Sequence, residues 1–249
     1  MSKVIAVFGA GTGLGVSMAR RFGREGFRVA LVARRKDRLD ALVAELADEG
    51  IEATAFSADL TEPAQVPAVV NAIRERFGRI DVVEYGPVPA GQSFTSATKL
   101  DAATLKALIP LFLLTPVEVV QAVLPEMTER GEGAFLLTQG LSAVLPSAHF
   151  SGPGPVMAAA RNYLYSLNGE LAGTGVYAGT LAVAAAIARS ENAPAKHDTA
   201  DDFTAFEGIE FPVVDPDDIA ECYWDMYTRR DRVEQVYPEP TIPQAETAS

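Results

Sequence analysis

Residues 8 to 15 read Phe8-Gly9-Ala10-Gly11-Thr12-Gly13-Leu14-Gly15. The apolar run Val4–Phe8 precedes this segment, and a helical pattern over Leu14–Arg24 follows it. Glycines at such a strand-to-helix turn allow a tight reversal, close approach of the backbone to a ligand, and close packing of helix on sheet. The helix start then offers free N–H groups and a positive dipole end to an anion. The chemistry implied is the binding of a nucleotide pyrophosphate, with Gly9, Gly11, Thr12, Gly13, Leu14 and Gly15 as its contacts. A glycine pattern alone says little. Its position between a strand and a helix is what gives it meaning.

The second apolar run, Arg28–Ala33, ends in Arg34-Arg35. A carboxylate there would hold the free ribose hydroxyl of NAD, whereas arginines offer charge-assisted bonds to a 2′-phosphate. The expected cofactor is therefore NADP(H); two solvated arginines at a helix start are the plainer alternative. Asp59 closes the third run. Its carboxylate suits either the adenine amino group or the cap of its own turn, and spacing does not separate the two.

Strands are expected at Val4–Phe8, Arg28–Ala33, Glu52–Ser57, Ile80–Tyr85, Ala134–Thr138, Val176–Val183 and Glu234–Tyr237. Helices are expected at Leu14–Arg24, Asp37–Glu49, about Glu62–Phe77, Thr104–Glu129, Pro155–Ala172 and Asp217–Thr228. Strand–helix alternation of this length means βαβ units and a parallel sheet covered on both faces. The expected fold is α/β: a single-domain Rossmann-type, doubly wound sheet of about seven strands over residues 1–240. Ala186 to Pro216 has no clear period and reads as a long loop or lid. Residues 241–249 read as a C-terminal tail.

With 48% apolar and 22% charged residues the balance is that of an ordinary globular chain. The net charge of −12 argues against nucleic-acid or anionic-membrane partners. The single cysteine, Cys222, excludes an internal disulfide and suits a reducing compartment. No uninterrupted apolar run reaches the roughly 18 residues of a membrane span, and the N-terminus lacks the features of a signal peptide. A cytoplasmic location is expected. There is no metal-ligand spacing.

This arrangement resembles the short-chain dehydrogenase/reductase family over nearly the whole chain. Gly9, Gly13 and Gly15 match its Thr-Gly-x-x-x-Gly-x-Gly motif, with Phe8 in place of the Thr. Asp59-Leu60 matches its adenine-contacting pair. Ala158-Ala159-Ala160-Arg161, Ser166-Leu167 and Glu170-Leu171 match its fifth helix. The resemblance implies a Tyr proton donor, a Lys that lowers the Tyr pKa and binds the nicotinamide ribose, a Ser on the substrate carbonyl, and an Asn. In register those positions hold Pro153, Met157, Gly140 and Phe112. No tyrosine has a lysine four residues on, so a slipped register does not restore the pair; only the Ser has a displaced substitute, Ser142. Pro155 is read as the first helical residue. Pro116 cannot donate to the Phe112 carbonyl and should kink the helix where the family's Asn does. Glu84-Tyr85-Gly86-Pro87 replaces the Asn-Asn-Ala-Gly after the fourth strand, and Gly86 is counted among the cofactor contacts.

The remaining proton donors are Tyr85 and Glu84, at the carboxyl end of the fourth strand where the cleft of this fold lies, and His149, on the substrate side by analogy. His197 reads as solvated. Three functions stay open: an NADP(H)-dependent oxidoreductase with a non-standard donor, a non-redox enzyme such as an isomerase, cyclase or dehydratase, and a catalytically silent nucleotide-binding protein. The substrate is a small molecule, and Phe112, Met157 and Pro153 suggest an apolar pocket. Leu164, Tyr165 and Leu167 on the fifth helix suggest a homodimer or homotetramer.

Overall fold

In a computed structural model of the protein, residues 2–89, 91, 93–191 and 212–240 are described. Seven parallel strands form one sheet in the order β3-β2-β1-β4-β5-β6-β9. They are β1 (Val4–Phe8), β2 (Arg28–Ala33), β3 (Ala53–Ser57), β4 (Val82–Tyr85), β5 (Gly133–Gly140), β6 (Val176–Val183) and β9 (Glu234–Tyr237). The order reverses between β1 and β4, the switch point at whose carboxyl ends sheets of this kind bind their ligands.

Strands buried on both faces need helices on both sides. On one side α3 (Val66–Phe77), α5 (Thr115–Arg130) and α6 (Pro153–Glu170) pack on Phe8, Val83, Tyr85 and Leu137. On the other, α1 (Leu14–Arg24), α2 (Lys36–Asp48) and α7 (Pro216–Arg229) cover Ile5, Val7, Val82 and Leu136. Alternation along β4 therefore sends Glu84 and Tyr85 to opposite faces. At the other end of β4, buried Asp81 accepts the Val4 N–H at 2.8 Å and pairs with Arg79, fixing the start of β4 against β1.

Several expectations need correction. The helix that was to begin at Pro155 starts at Pro153, after Gly152, so the missing N–H that costs nothing belongs to Pro153. Leu164 and Leu167 are buried in the chain's own core, and of the three residues offered as interface only Tyr165 is exposed, with Arg161 stacked on its ring. The segment Ala186–Pro216 is not a featureless loop. Its ends form a two-stranded parallel pair, β7 (Ala186–Ile187) with β8 (Val213–Val214). Its middle, with His197, and the 241–249 tail lie outside the described residues.

The long helix expected over Thr104–Glu129 is present and runs without interruption from α4 (Ala102–Ile109) through a π turn (Pro110–Leu114) into α5. Taken together, Ala102–Arg130 is long and apolar enough by composition to cross a membrane, although polar residues interrupt its apolar runs. Its α5 part buries Val119, Val120, Val123 and Met127 against the sheet.

Candidate functional site

The Gly-rich turn leaves β1 with Gly9 at φ +93°. A Cβ there would lie 2.5 Å from Pro87 Cα, so the absence of a side chain lets the β4 loop close against the turn. Helix α1 starts at Leu14 with no side-chain cap and no acidic residue in its first turn, which leaves an electropositive end at the switch point. Around Gly11 there is open space. Gly13 makes its close approach to the chain itself: a Cβ there would meet Ser190 Cβ at 2.8 Å. The Thr12 hydroxyl donates to the Arg189 carbonyl at 2.7 Å. The segment after β7 thus lies across the turn.

At the end of β2, the Arg34 carbonyl accepts from Ser57 Oγ at 3.0 Å, and its guanidinium charge acts on Asp59. Asp59 Oδ1 accepts the Thr61 N–H at 2.9 Å and the Thr61 hydroxyl at 2.7 Å. The turn-capping reading of Asp59 therefore describes this oxygen. Burial raises the Asp59 pKa, but the two Thr61 bonds and Arg34 outweigh it and hold the carboxyl below its ordinary value. Leu60 is buried, and its carbonyl accepts the Thr115 hydroxyl at 2.8 Å. Arg35 and Arg38 both pair with Glu191.

The three candidate donors are not brought together. Tyr85 is 1% exposed and belongs to the core on the α5 side. Its ring stacks on Phe8, and its hydroxyl donates to the Leu111 carbonyl at 2.5 Å. Burial pushes the phenol well above its usual pKa, with a Thr115 hydrogen bond opposing. Placed at the carboxyl end of β4, Tyr85 is nevertheless turned inward by alternation, and its one proton is already engaged.

Glu84 is also buried, on the α7 side. The Thr138 hydroxyl bonds Glu84 Oε1 at 2.6 Å and the Tyr223 hydroxyl at 2.7 Å. Burial pushes the Glu84 carboxyl up to about 8, against the pull of the Thr138 bond, so it keeps its proton at neutral pH. Burial likewise raises the Tyr223 phenol. Gly86 makes room for this carboxyl, since a Cβ on Gly86 would collide with Glu84 Oε1. His149 stands on an exposed loop in the left-handed region, at φ 67°.

Gly140 ends β5, and a Cβ there would sit 3.4 Å from Met157 Cε and 4.0 Å from Ser142 Oγ. Met157 lies one turn into α6, and its carbonyl accepts from the Gln139 side chain at 2.7 Å. The Ser142 hydroxyl is buried with no hydrogen-bond partner among the described residues. Gly140, Pro153 and Met157 bring neither hydroxyl nor ammonium to this end of the sheet.

Sequence reasoning missed the Glu84–Thr138–Tyr223 chain. A signal was present: Glu84 is a carboxylate in a short apolar strand, and Thr138 is the first polar side chain after the apolar run of β5. Tyr223, far along the chain, carried none. Arg38 and Glu191 were also missed, because an arginine inside a helix and a glutamate in a polar stretch read as solvated.

A family model described as short chain dehydrogenase matches residues 3–198. The chain belongs to the short-chain dehydrogenase family. Among its relatives are a putative ketoacyl reductase of Streptomyces coelicolor, 33% identical over 70% of this chain and 67% of the relative, and sulfoacetaldehyde reductase 2 of Chromohalobacter salexigens, 31% identical over 71% and 69%. Among solved structures, a short-chain dehydrogenase from Sphingobium yanoikuyae in complex with NADPH superposes with TM-score 0.77 at 28% identity, over 95% of this chain and 88% of that one. A short-chain dehydrogenase from Streptomyces avermitilis gives TM-score 0.80 at 25% identity, over 94% and 87%. The family and the seven-stranded fold expected from the motifs are thus both found.

Proposed function

We propose that the protein is an NADP(H)-dependent oxidoreductase whose proton donor is not the Tyr–Lys pair of its family. The observation that carries the reading is the uncapped α1 start behind the Gly-rich turn, with Arg34 and Arg35 at the end of the neighbouring strand. The pyrophosphate is assigned to Gly9, Gly11, Thr12, Gly13, Leu14 and Gly15, the 2′-phosphate to Arg34 and Arg35, and the adenine side to Asp59 and Leu60. Gly86 lies at the switch point beside Glu84. NADPH and 5-hydroxy-NADP in similar structures support this cofactor. When bound, NADPH supplies the hydride.

Reduction of a carbonyl then needs a proton for the developing alkoxide from a group within hydrogen-bond reach. Of the three candidates, Glu84 is put forward because burial raises its carboxyl to about 8, so that it holds a proton at neutral pH, and because the Thr138 hydroxyl, donating to its Oε1, fixes its position. His149 is the exposed alternative. The substrate is a small molecule, and Phe112, Pro153 and Met157 at the positions of the family's polar residues favour an apolar one. A second reading, a silent nucleotide-binding protein, is favoured by one observation: Tyr85 and Glu84 are both closed off from solvent.

Calorimetry and NADPH oxidation against simple ketones, aldehydes and enones test these readings. A lost charge-assisted contact is worth roughly 1.5–3 kcal/mol, so Arg35→Ala should weaken NADPH about tenfold or more and leave NADH little changed. Equal affinity for the two cofactors would refute the assignment. Turnover lost in Glu84→Gln or His149→Ala supports the oxidoreductase; tight NADPH binding with no turnover of any probe leaves the silent and the non-redox readings.

A further inference from the structure

Arg35 and Arg38 lie one helical turn apart at the start of α2, and one carboxylate bridges them. Glu191 Oε2 accepts from Arg35 Nη2, and Glu191 Oε1 accepts from Arg38 Nη1 at 2.5 Å. Glu191 is more than 150 residues distant in sequence from both arginines, so the contact is made by tertiary folding. It is delivered by a strap with three further attachments. Ser190 packs on Gly13, the Arg189 carbonyl holds the Thr12 hydroxyl, and the Arg189 side chain pairs with Asp215 at 2.6 Å and Asp217 at 3.0 Å, at the start of α7. β7 and β8 pair behind it. A two-oxygen anion thus occupies a two-arginine fork beside a pyrophosphate-type turn.

We infer that Arg38 joins Arg35 as a clamp for the cofactor's 2′-phosphate and that Glu191 is the clamp's internal occupant, which a 2′-phosphate displaces and an unphosphorylated ribose does not. The inference rests on the NADP(H) reading and adds a specificity residue and a built-in competitor to it. A phosphate carries more charge and more acceptor oxygens than a carboxylate, so it wins the fork. A nucleotide without that phosphate gains nothing from the fork and leaves Glu191 in place. The carboxylate thereby lowers the affinity of every 2′-phosphorylated ligand by a fixed factor, because each must first free the arginines.

The test uses the full chain and two probes, 2′,5′-ADP and 5′-AMP, titrated by calorimetry into the wild type, Arg38→Ala and Glu191→Gln. The side chains of Arg38 and Glu191 are 53% and 32% exposed, so neither change threatens the core. Glu191→Gln removes the competing charge and should tighten 2′,5′-ADP about fivefold or more, changing 5′-AMP by less than about twofold. Arg38→Ala should weaken 2′,5′-ADP by about tenfold, with 5′-AMP again unchanged. If 2′,5′-ADP binds better than 5′-AMP but responds to neither substitution, the clamp and its occupant are wrong and the NADP(H) reading stands. If wild type and Glu191→Gln alike bind 2′,5′-ADP no better than 5′-AMP, both fall.

Discussion

The Tyr85 hydroxyl donates to the Leu111 carbonyl, across the gap between β4 and the π turn. The reason this carbonyl is free lies five residues further on. In the π turn Thr115 donates to Pro110, a spacing of five. The next bond in that register would run from residue 116 to Leu111, and Pro116 has no N–H to give. By the α-helical spacing of four Pro116 also withholds an N–H from Phe112; the π register makes Leu111 a further acceptor that Pro116 cannot serve. Tyr85→Phe should therefore cost about 1–3 kcal/mol, the penalty of a buried acceptor left unpaired. In a Pro116→Ala background the restored N–H can serve Leu111, and the cost of Tyr85→Phe should shrink by about half or more. Chemical denaturation of the four proteins measures this coupling, and strictly additive losses would contradict it.

Glu84 makes stability depend on pH. Its folded pKa, raised by burial to about 8, lies above the ordinary value of 4.5. The folded state therefore holds a proton that the unfolded state releases. The contribution is full below about 4.5, falls as pH rises through the window up to about 8, and levels off beyond it. At 1.36 kcal/mol per unit, the loss over the window is of order 3–5 kcal/mol. Glu84→Gln, which cannot ionise, should remove this slope. Unfolding midpoints taken across the window should show the variant gaining on the wild type as pH rises; a constant difference would count against a protonated Glu84.

Gly9 and Gly11 should respond differently to alanine. Gly9 combines a positive φ with Pro87 backbone in the space a Cβ needs. Gly9→Ala should destabilise the fold by at least about 2 kcal/mol, since both strain and collision act. Gly11 has nothing within 4 Å and no positive φ, so Gly11→Ala should leave the melting temperature nearly unchanged. If the open space beside Gly11 is where the pyrophosphate lies, NADPH affinity should nevertheless drop about tenfold or more. Equal effects of both substitutions on stability would show that the turn is read wrongly.

The sequence by itself determined the layout of the main sheet: its seven strands, that they are parallel and covered on both faces, and that a nucleotide-type turn follows the first. Those features are local. Apolar runs bounded by breakers, glycine at a positive φ, and proline at a helix start each act within a few residues. The tertiary structure decided which way each functional side chain points and what it meets. Tyr85 and Glu84 are neighbours in sequence, yet strand alternation sends one to Leu111 under α5 and the other to Thr138 and Tyr223 beside α7. Arg35 reads as a free cation in the chain and is paired with Glu191 in the fold. Burial, and with it pKa and hydrogen-bond partnership, depends on groups that only long-range packing brings together, and no spacing along the chain encodes that packing.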